Sequence, residues 1–181
     1  MIQAKKLKLM TSASTEFKEY MDYEYDSSGK LKVIKYYSLN GEMVQSSLIT
    51  LEYENDHIIK RKFADHKGNV NRFNTYEYDL KGNVVKEQNY SLFARTEPLL
   101  TSETIYKYDD KNNPYRVFYQ TGQPGLYTNR NNIIEQISLS FEDIDRGVER
   151  KSTIIISYTY NSKGFPIKVN RNDSVFEYRY K

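Results

Sequence analysis

Cysteine is absent, which removes disulfides and thiolate metal sites from consideration. Tryptophan is absent too, so any aromatic surface is built from Tyr and Phe. Proline is scarce at 4 residues, too few for a proline-rich linker. No apolar run approaches the roughly twenty residues of a membrane helix. The opening "MIQAKKLKLMTSASTEF" has an early basic cluster but no long apolar stretch after it, so it does not read as a secretory signal. Charge is mixed, and the net value of +3 is too small and too dispersed for the concentrated basic face that nucleic acid demands.

What is present is tyrosine, 18 residues of it in a chain of 181. Its ring suits a half-buried pleated surface, with the hydroxyl reaching toward water. "YEYDSSGKLKVIKYY" (23–37) and "YEYDLKGNVVKEQNY" (76–90) show the arrangement. Tyr23 and Tyr25 share a strand face, Asp26 accepts a backbone amide two residues on, and Gly29 supplies the positive φ that closes the reversal. Each such unit predicts a β-hairpin. The spelling recurs as Asp26 with Gly29, Asp65 with Gly68, Asp79 with Gly82, Asp109 with Asn112 and Asn161 with Gly164, each with an aromatic residue upstream. Asn112 replaces glycine there as the next most tolerant residue of the left-handed conformation. Two-residue turns are signalled at Asn40-Gly41, Asn55-Asp56 and Asn172-Asp173.

The intervals predict about twelve strands: 17–25, 30–38, 42–54, 57–64, 69–78, 83–92, 101–108, 114–120, 132–141, 150–160, 165–171 and 174–180. Ile154, Ile156, Tyr158 and Tyr160 fall on one face of their strand, as do Phe176, Tyr178 and Tyr180. The expectation is an all-β, single-domain chain over 1–181. It is an antiparallel up-and-down meander of about 10–13 strands, curled into a barrel-like or half-open sheet.

The hairpin units resemble the tyrosine-aspartate repeats of bacterial RHS-type proteins, though Lys30 and Asn83 stand where those repeats carry arginine. "YKYDDKNNPYRVF" (106–118), "NNII" (131–134) and "YTYNSKGFPIKVNRNDSVFEYRY" (158–180) resemble a Bacteroidetes family of secreted, often lipid-anchored proteins of unknown function. That resemblance implies a porin-like β-meander and a secreted or cell-surface location. A native start at Met1 implies the cytoplasm instead. The family has no catalytic residues to carry over.

The residues give chemistry little support. His57 and His66 have no second histidine at ligand spacing. "FEDIDRGVER" (141–150) begins like a Ca²⁺ loop, but position twelve counted from Asp143 is Ile154 and not Glu. In "IIKRKF" (58–63), Lys60 and Lys62 share one face and Arg61 takes the other, which splits the charge. The turn acids sit at hairpin tips, where structure already employs them. No metal, cofactor or catalytic residue is therefore assigned.

The two longest connections, 91–101 and 121–131, count as the sixth and eighth along the meander and are expected at one end of the sheet. They carry Phe93, Arg95, Glu97, Tyr127 and Arg130, the candidate ligand-binding residues. The leading functional expectation is a non-catalytic surface module with a structural or binding role toward a glycan, peptide or protein. The alternatives are a barrel-lumen binder of a small apolar ligand and an enzyme with its site at the long loops.

Overall fold

The computed structural model describes residues 19–40, 42–92, 97–116, 122–125, 127–141, 149–172 and 174–180. Eleven strands follow in chain order: β1 (Glu19–Tyr25), β2 (Leu31–Asn40), β3 (Glu42–Glu54), β4 (His57–Asp65), β5 (Val70–Tyr78), β6 (Val84–Ser91), β7 (Leu99–Asn112), β8 (Asn131–Phe141), β9 (Glu149–Tyr160), β10 (Pro166–Arg171) and β11 (Ser174–Glu177). Their hydrogen-bonded order is the sequence order, β1 through β11, so the fold is an all-β antiparallel meander. The order is open and ends on β1 and β11.

The repeated turn follows one plan at Asp26, Asp65, Asp79 and Asn161. The amide of the first residue donates to the carbonyl four residues on, at 2.8, 3.1, 2.9 and 2.9 Å. The amides of Gly29, Gly68, Gly82 and Gly164 donate back to the first residue's carbonyl, at 3.0 Å in all four. The first residue's Oδ1 then accepts two further amides. At Asp26 they come from Ser28 and Lys30 (2.9 and 3.0 Å), at Asp65 from Lys67 and Asn69 (2.8 and 2.9 Å). At Asp79 they come from Lys81 and Asn83 (2.9 and 2.8 Å), at Asn161 from Lys163 and Phe165 (both 3.0 Å). One side-chain oxygen thus satisfies two donors that the reversal takes out of the ladder.

All four glycines have the positive φ that the spelling requires: 83° at Gly29, 86° at Gly68, 83° at Gly82 and 75° at Gly164. At Gly68 a side chain would meet nothing within 4 Å, so backbone conformation alone calls for glycine there. Gly164 does more than close its own reversal. Its carbonyl accepts the Asn112 amide at 3.2 Å, a contact to a distant strand that the turn spelling does not announce. Asn55 and Asp56 both have positive φ (47° and 67°), as a type I′ hairpin requires.

These bonds hold the turn carboxyls below their usual range. At Asp26 the Ser28 hydroxyl contributes most, followed by the Lys30 amide. At Asp65 the Asn69 side chain leads. At Asp79 burial pushes upward, but the bonds from Asn83 and Lys81 outweigh it. A depressed carboxyl contributes stability above its unfolded pKa and loses it as pH falls through the folded value. Thermal melts should therefore be flat down to about pH 4 and fall below it. Asp26→Asn keeps the acceptor without the charge, as Asn161 does, and its melting temperature should fall less steeply in acid. An unchanged slope would remove Asp26 from the account.

The fifth predicted turn, Asp109 with Asn112, is not a turn. Strand β7 runs through it to Asn112, and Asn112 is not left-handed. Tyr108 pairs with Ile133 and Asn112 with Asn131, so three residues of β7 bulge against the single Asn132 of β8. Two causes agree. No glycine is present to close the reversal. Asp109 Oδ1 still accepts the Lys111 amide (3.0 Å), but the Asn113 amide goes to the Arg130 carbonyl (3.1 Å), and the carboxylate takes the distant Asn132 amide (3.1 Å) and Tyr160 hydroxyl. The predicted strand 114–120 is also corrected: 114–116 form a 3₁₀ turn, and 117–120 lie outside the described residues. Among the described strands, the two long connections are the sixth and seventh. One enters β7 at Leu99 and the other leaves it at Asn112, so they attach to opposite ends of β7, contrary to the sequence expectation. Of the two-residue turns, Gly41 and Asp173 lie outside the described residues.

Packing divides the chain into two compact units, 1–74 with 91–98, and 75–90 with 99–181. In the first, Tyr23, Ile34, Ile49 and Phe63 form one cross-strand row over β1 to β4. Ile34 and Ile49 are buried, together with Leu31 and Leu51. The Tyr53 hydroxyl ties this cluster back to the Leu31 carbonyl at 2.7 Å. Arg61 is buried beside Phe63, its guanidinium 5.1 Å from the ring, while Lys62 reaches Glu52 on the other face. The charge of "IIKRKF" is split across the sheet as its alternation predicts.

In the second unit Val84, Ile156 and Val169 are buried. On β9, Ile154, Ile156, Tyr158 and Tyr160 are buried or half-buried, while Ile155 between them is 60% exposed.

Candidate functional site

The second unit holds a belt of buried asparagines that composition did not announce: Asn83, Asn113, Asn129, Asn131 and Asn132. A buried amide is tolerated only when its donors and acceptor find partners. Asn83 Nδ2 donates to Asp79 Oδ2 (2.9 Å) and Asn131 Oδ1 (3.0 Å), and its Oδ1 accepts the Asn131 amide (2.9 Å). Asn129 Oδ1 accepts the Val84 amide (2.8 Å), and its Nδ2 donates to the Tyr108 hydroxyl (2.9 Å). Asn113 Nδ2 donates to the Asn129 carbonyl (2.9 Å), and Asn131 Nδ2 to the Lys111 carbonyl (3.0 Å). The belt replaces the ladder where β7 bulges and the chain leaves it, holding Asn129 and Asn131 against β6 and β7.

Tyrosines border the belt. Tyr115 stands edge-on to Tyr127 (6.4 Å between centroids) and to Tyr178 (6.0 Å), and the Tyr115 and Tyr178 hydroxyls share a 2.8 Å hydrogen bond. Tyr158 stacks on Tyr160 at 5.8 Å. Burial raises the hydroxyl of Tyr158 to about 12. Burial and the Tyr115 contact raise Tyr178 as well, so these groups stay neutral donors across the physiological range. Asn113, Tyr115, Asn129, Asn132, Tyr158 and Tyr178 line a cavity of about 30 Å³. That is room for one or two water molecules, since one needs about 10–15 Å³. A larger ligand would lie on the rings, not within them.

Two of the five sequence-predicted residues fall at this site. Tyr127 is half-buried against Tyr115, and Arg130 is exposed, its carbonyl accepting the Asn113 amide at 3.1 Å. The loop between them is anchored at Gly125, whose carbonyl accepts the amides of Thr128 and Asn129 (both 2.9 Å). Glu97 is exposed and belongs to the other compact unit. Phe93 and Arg95 lie outside the described residues, as does the acidic stretch 142–148. His57 opens β4 with Nδ1 2.9 Å from the Asn55 carbonyl, and His66 is an exposed turn residue. None of the turn glycines Gly29, Gly68, Gly82 and Gly164 lines the cavity.

The sequence reading missed Tyr115 and the asparagines. The available signal was their density in "KNNP" (111–114) and "NRNN" (129–132), on either side of a long connection.

Among the described residues no helix is long and apolar enough to cross a membrane. No family model matches the chain, and no curated protein matches it. Among solved structures, a porin-like protein from Bacteroides uniformis ATCC 8492 aligns with 96% of this chain and 92% of its own, at 13% identity and a TM-score of 0.29. It is a distant structural neighbour.

Proposed function

We infer that the chain is a non-catalytic binding module, secreted or held at the cell surface, that takes a glycan on the Tyr115–Tyr127–Tyr178 cluster. The observation that carries this reading is the cluster itself. Three phenol rings are held edge to face, two of them by a shared hydroxyl bond, with the exposed Arg130 nearby in the chain. Sugar rings present C–H faces that stack on aromatic rings and hydroxyls that bond to guanidinium and phenol groups. Fixing the rings before the ligand arrives lowers the entropy cost of binding.

The non-catalytic part rests on how the acids are occupied. Asp26, Asp65 and Asp79 use their oxygens on their own turns, and Asp109 uses its oxygens on Asn132 and Tyr160. The location rests on the resemblance of the closing segment to secreted Bacteroidetes proteins.

Titration with soluble neutral and acidic oligosaccharides, followed by amide chemical shifts, tests the reading. Shifts should centre on residues 113–116, 127–130 and 178, and Tyr127→Ala should abolish them while Tyr25→Ala, at an exposed ring of the first unit, leaves them intact. Shifts that survive Tyr127→Ala, or cleavage of the sugar, would overturn it.

A further inference from the structure

We propose that β11 is a self-association edge, and that two copies of this chain join there through an antiparallel two-fold pairing centred on Tyr178. Lys168 pairs with Glu177, Val169 with Phe176, Asn170 with Val175 and Arg171 with Ser174. The Tyr178 amide donates to the Ile167 carbonyl at 3.0 Å, which extends the same register by one residue. The Phe165–Tyr180 ring contact, 5.8 Å between centroids, carries the alignment to residue 180.

In an antiparallel pair, alternate residues aim both backbone groups at the same neighbour. Ser174, Phe176 and Tyr178 therefore face β10, and Val175, Glu177 and Arg179 present N–H and C=O to the open side. The strand order ends at β11, and among the described residues no strand is bonded to that side. Every residue of β11 is exposed, Phe176 is 52% exposed, and Tyr180 just beyond it is 48% exposed. Open edges of this kind are templates for another strand.

The side chains choose the occupant. A two-fold axis at Tyr178 sets Glu177 opposite Arg179 of the second copy, and by symmetry does so twice. The same register sets Phe176 opposite Tyr180 of the second copy, again twice, covering the two exposed rings. Glu177 and Arg179 are the residues whose backbone groups point outward, so the charge pairs coincide with the hydrogen-bonded pairs. An axis at Glu177 would place Glu against Glu. An axis at Phe176 would place Glu177 against Val175. An axis at Arg179 would place Arg against Arg, so of these four registers only the Tyr178 one matches charge and aromatic partners without opposing like charges. Phe176 and Tyr180 share the face of the Tyr178 ring, but Glu177 and Arg179 stand on the opposite face, so exchanging those charges tests the pairing without touching the glycan cluster.

Sedimentation equilibrium of the full chain over a wide concentration range tests it, with circular dichroism and melting temperature confirming that each variant folds. The wild-type chain should form a reversible dimer that weakens with added salt. Glu177→Arg or Arg179→Glu alone should each weaken it about tenfold or more, since either change replaces two attractions by two repulsions. The double exchange Glu177→Arg with Arg179→Glu should restore it. If Glu177→Arg folds poorly beside Lys168, Arg179→Glu and the double exchange carry the test. A wild-type chain that stays monomeric, even one whose edge binds some other peptide, overturns the proposal. So does a dimer indifferent to the single changes, or a double exchange as weak as either single.

Discussion

Asn83→Ala should lower unfolding stability by about 4 kcal/mol, because it leaves two groups of Asn131 unpaired in a buried setting, at about 1–3 kcal/mol each, and opens a void. Asn83 is fully buried, at 0% exposure, and holds both the Asn131 amide and the Asn131 Oδ1. Its third partner, Asp79, keeps two backbone amides and is less affected. The control is Asn69→Ala. Asn69 holds the corresponding place after the Asp65 turn and makes the same 2.9 Å contact to its aspartate, but it is exposed. Its loss should cost about 1 kcal/mol or less. Urea unfolding of the two variants at equal m-value checks the difference. Equal costs would mean that the belt contributes nothing beyond the local turn.

The second large effect is expected in the other unit. Ile34→Ala should cost about 3 kcal/mol through lost burial and a residual cavity. Ile34 is 2% exposed and lies in the row between Tyr23 and Ile49. β-strand neighbours fix its Cβ position, so the row has little freedom to close over the gap. Ile155→Ala, at a 60% exposed position on β9, should stay within about 0.5 kcal/mol. Chemical denaturation again supplies the measurement. A small effect at Ile34 would mean that the apolar row is not what holds the first four strands together.

The comparison of Asn69 with Asn83 shows where sequence reading stops. "DHKGNV" and "DLKGNV" are nearly identical, and both form the same turn with the same side-chain contact. Turn chemistry acts over five residues, so it was legible from Asp26 to Gly29, Asp65 to Gly68, Asp79 to Gly82 and Asn161 to Gly164. Strand faces were legible for the same reason, since a period of two needs only adjacent residues. The burial of Asn83 comes from Asn131, 48 positions away, and nothing local encodes it. Asp109 failed for the converse reason. Its local spelling promised a reversal, and the Lys111 contact of that reversal is made, but the Asn113 amide goes to Arg130 and the carboxylate also takes the distant Asn132 amide and Tyr160 hydroxyl. The bond from Asn112 to the Gly164 carbonyl is of the same distant kind. Of the candidate site, Tyr127 and Arg130 were reachable through loop length. Tyr115 was assigned to a strand that Pro114, which has no amide to give a ladder, helps to prevent.

A sheet whose spatial order copies its chain order has a kinetic consequence. Most strands find their neighbours across a short reversal, with residues 113–130 between β7 and β8 the longest gap, so most pairings are rewarded without a long search. Assembly can then advance like a zip from any hairpin whose loop closes early, and the glycine-aspartate reversals supply several such starting points along the chain.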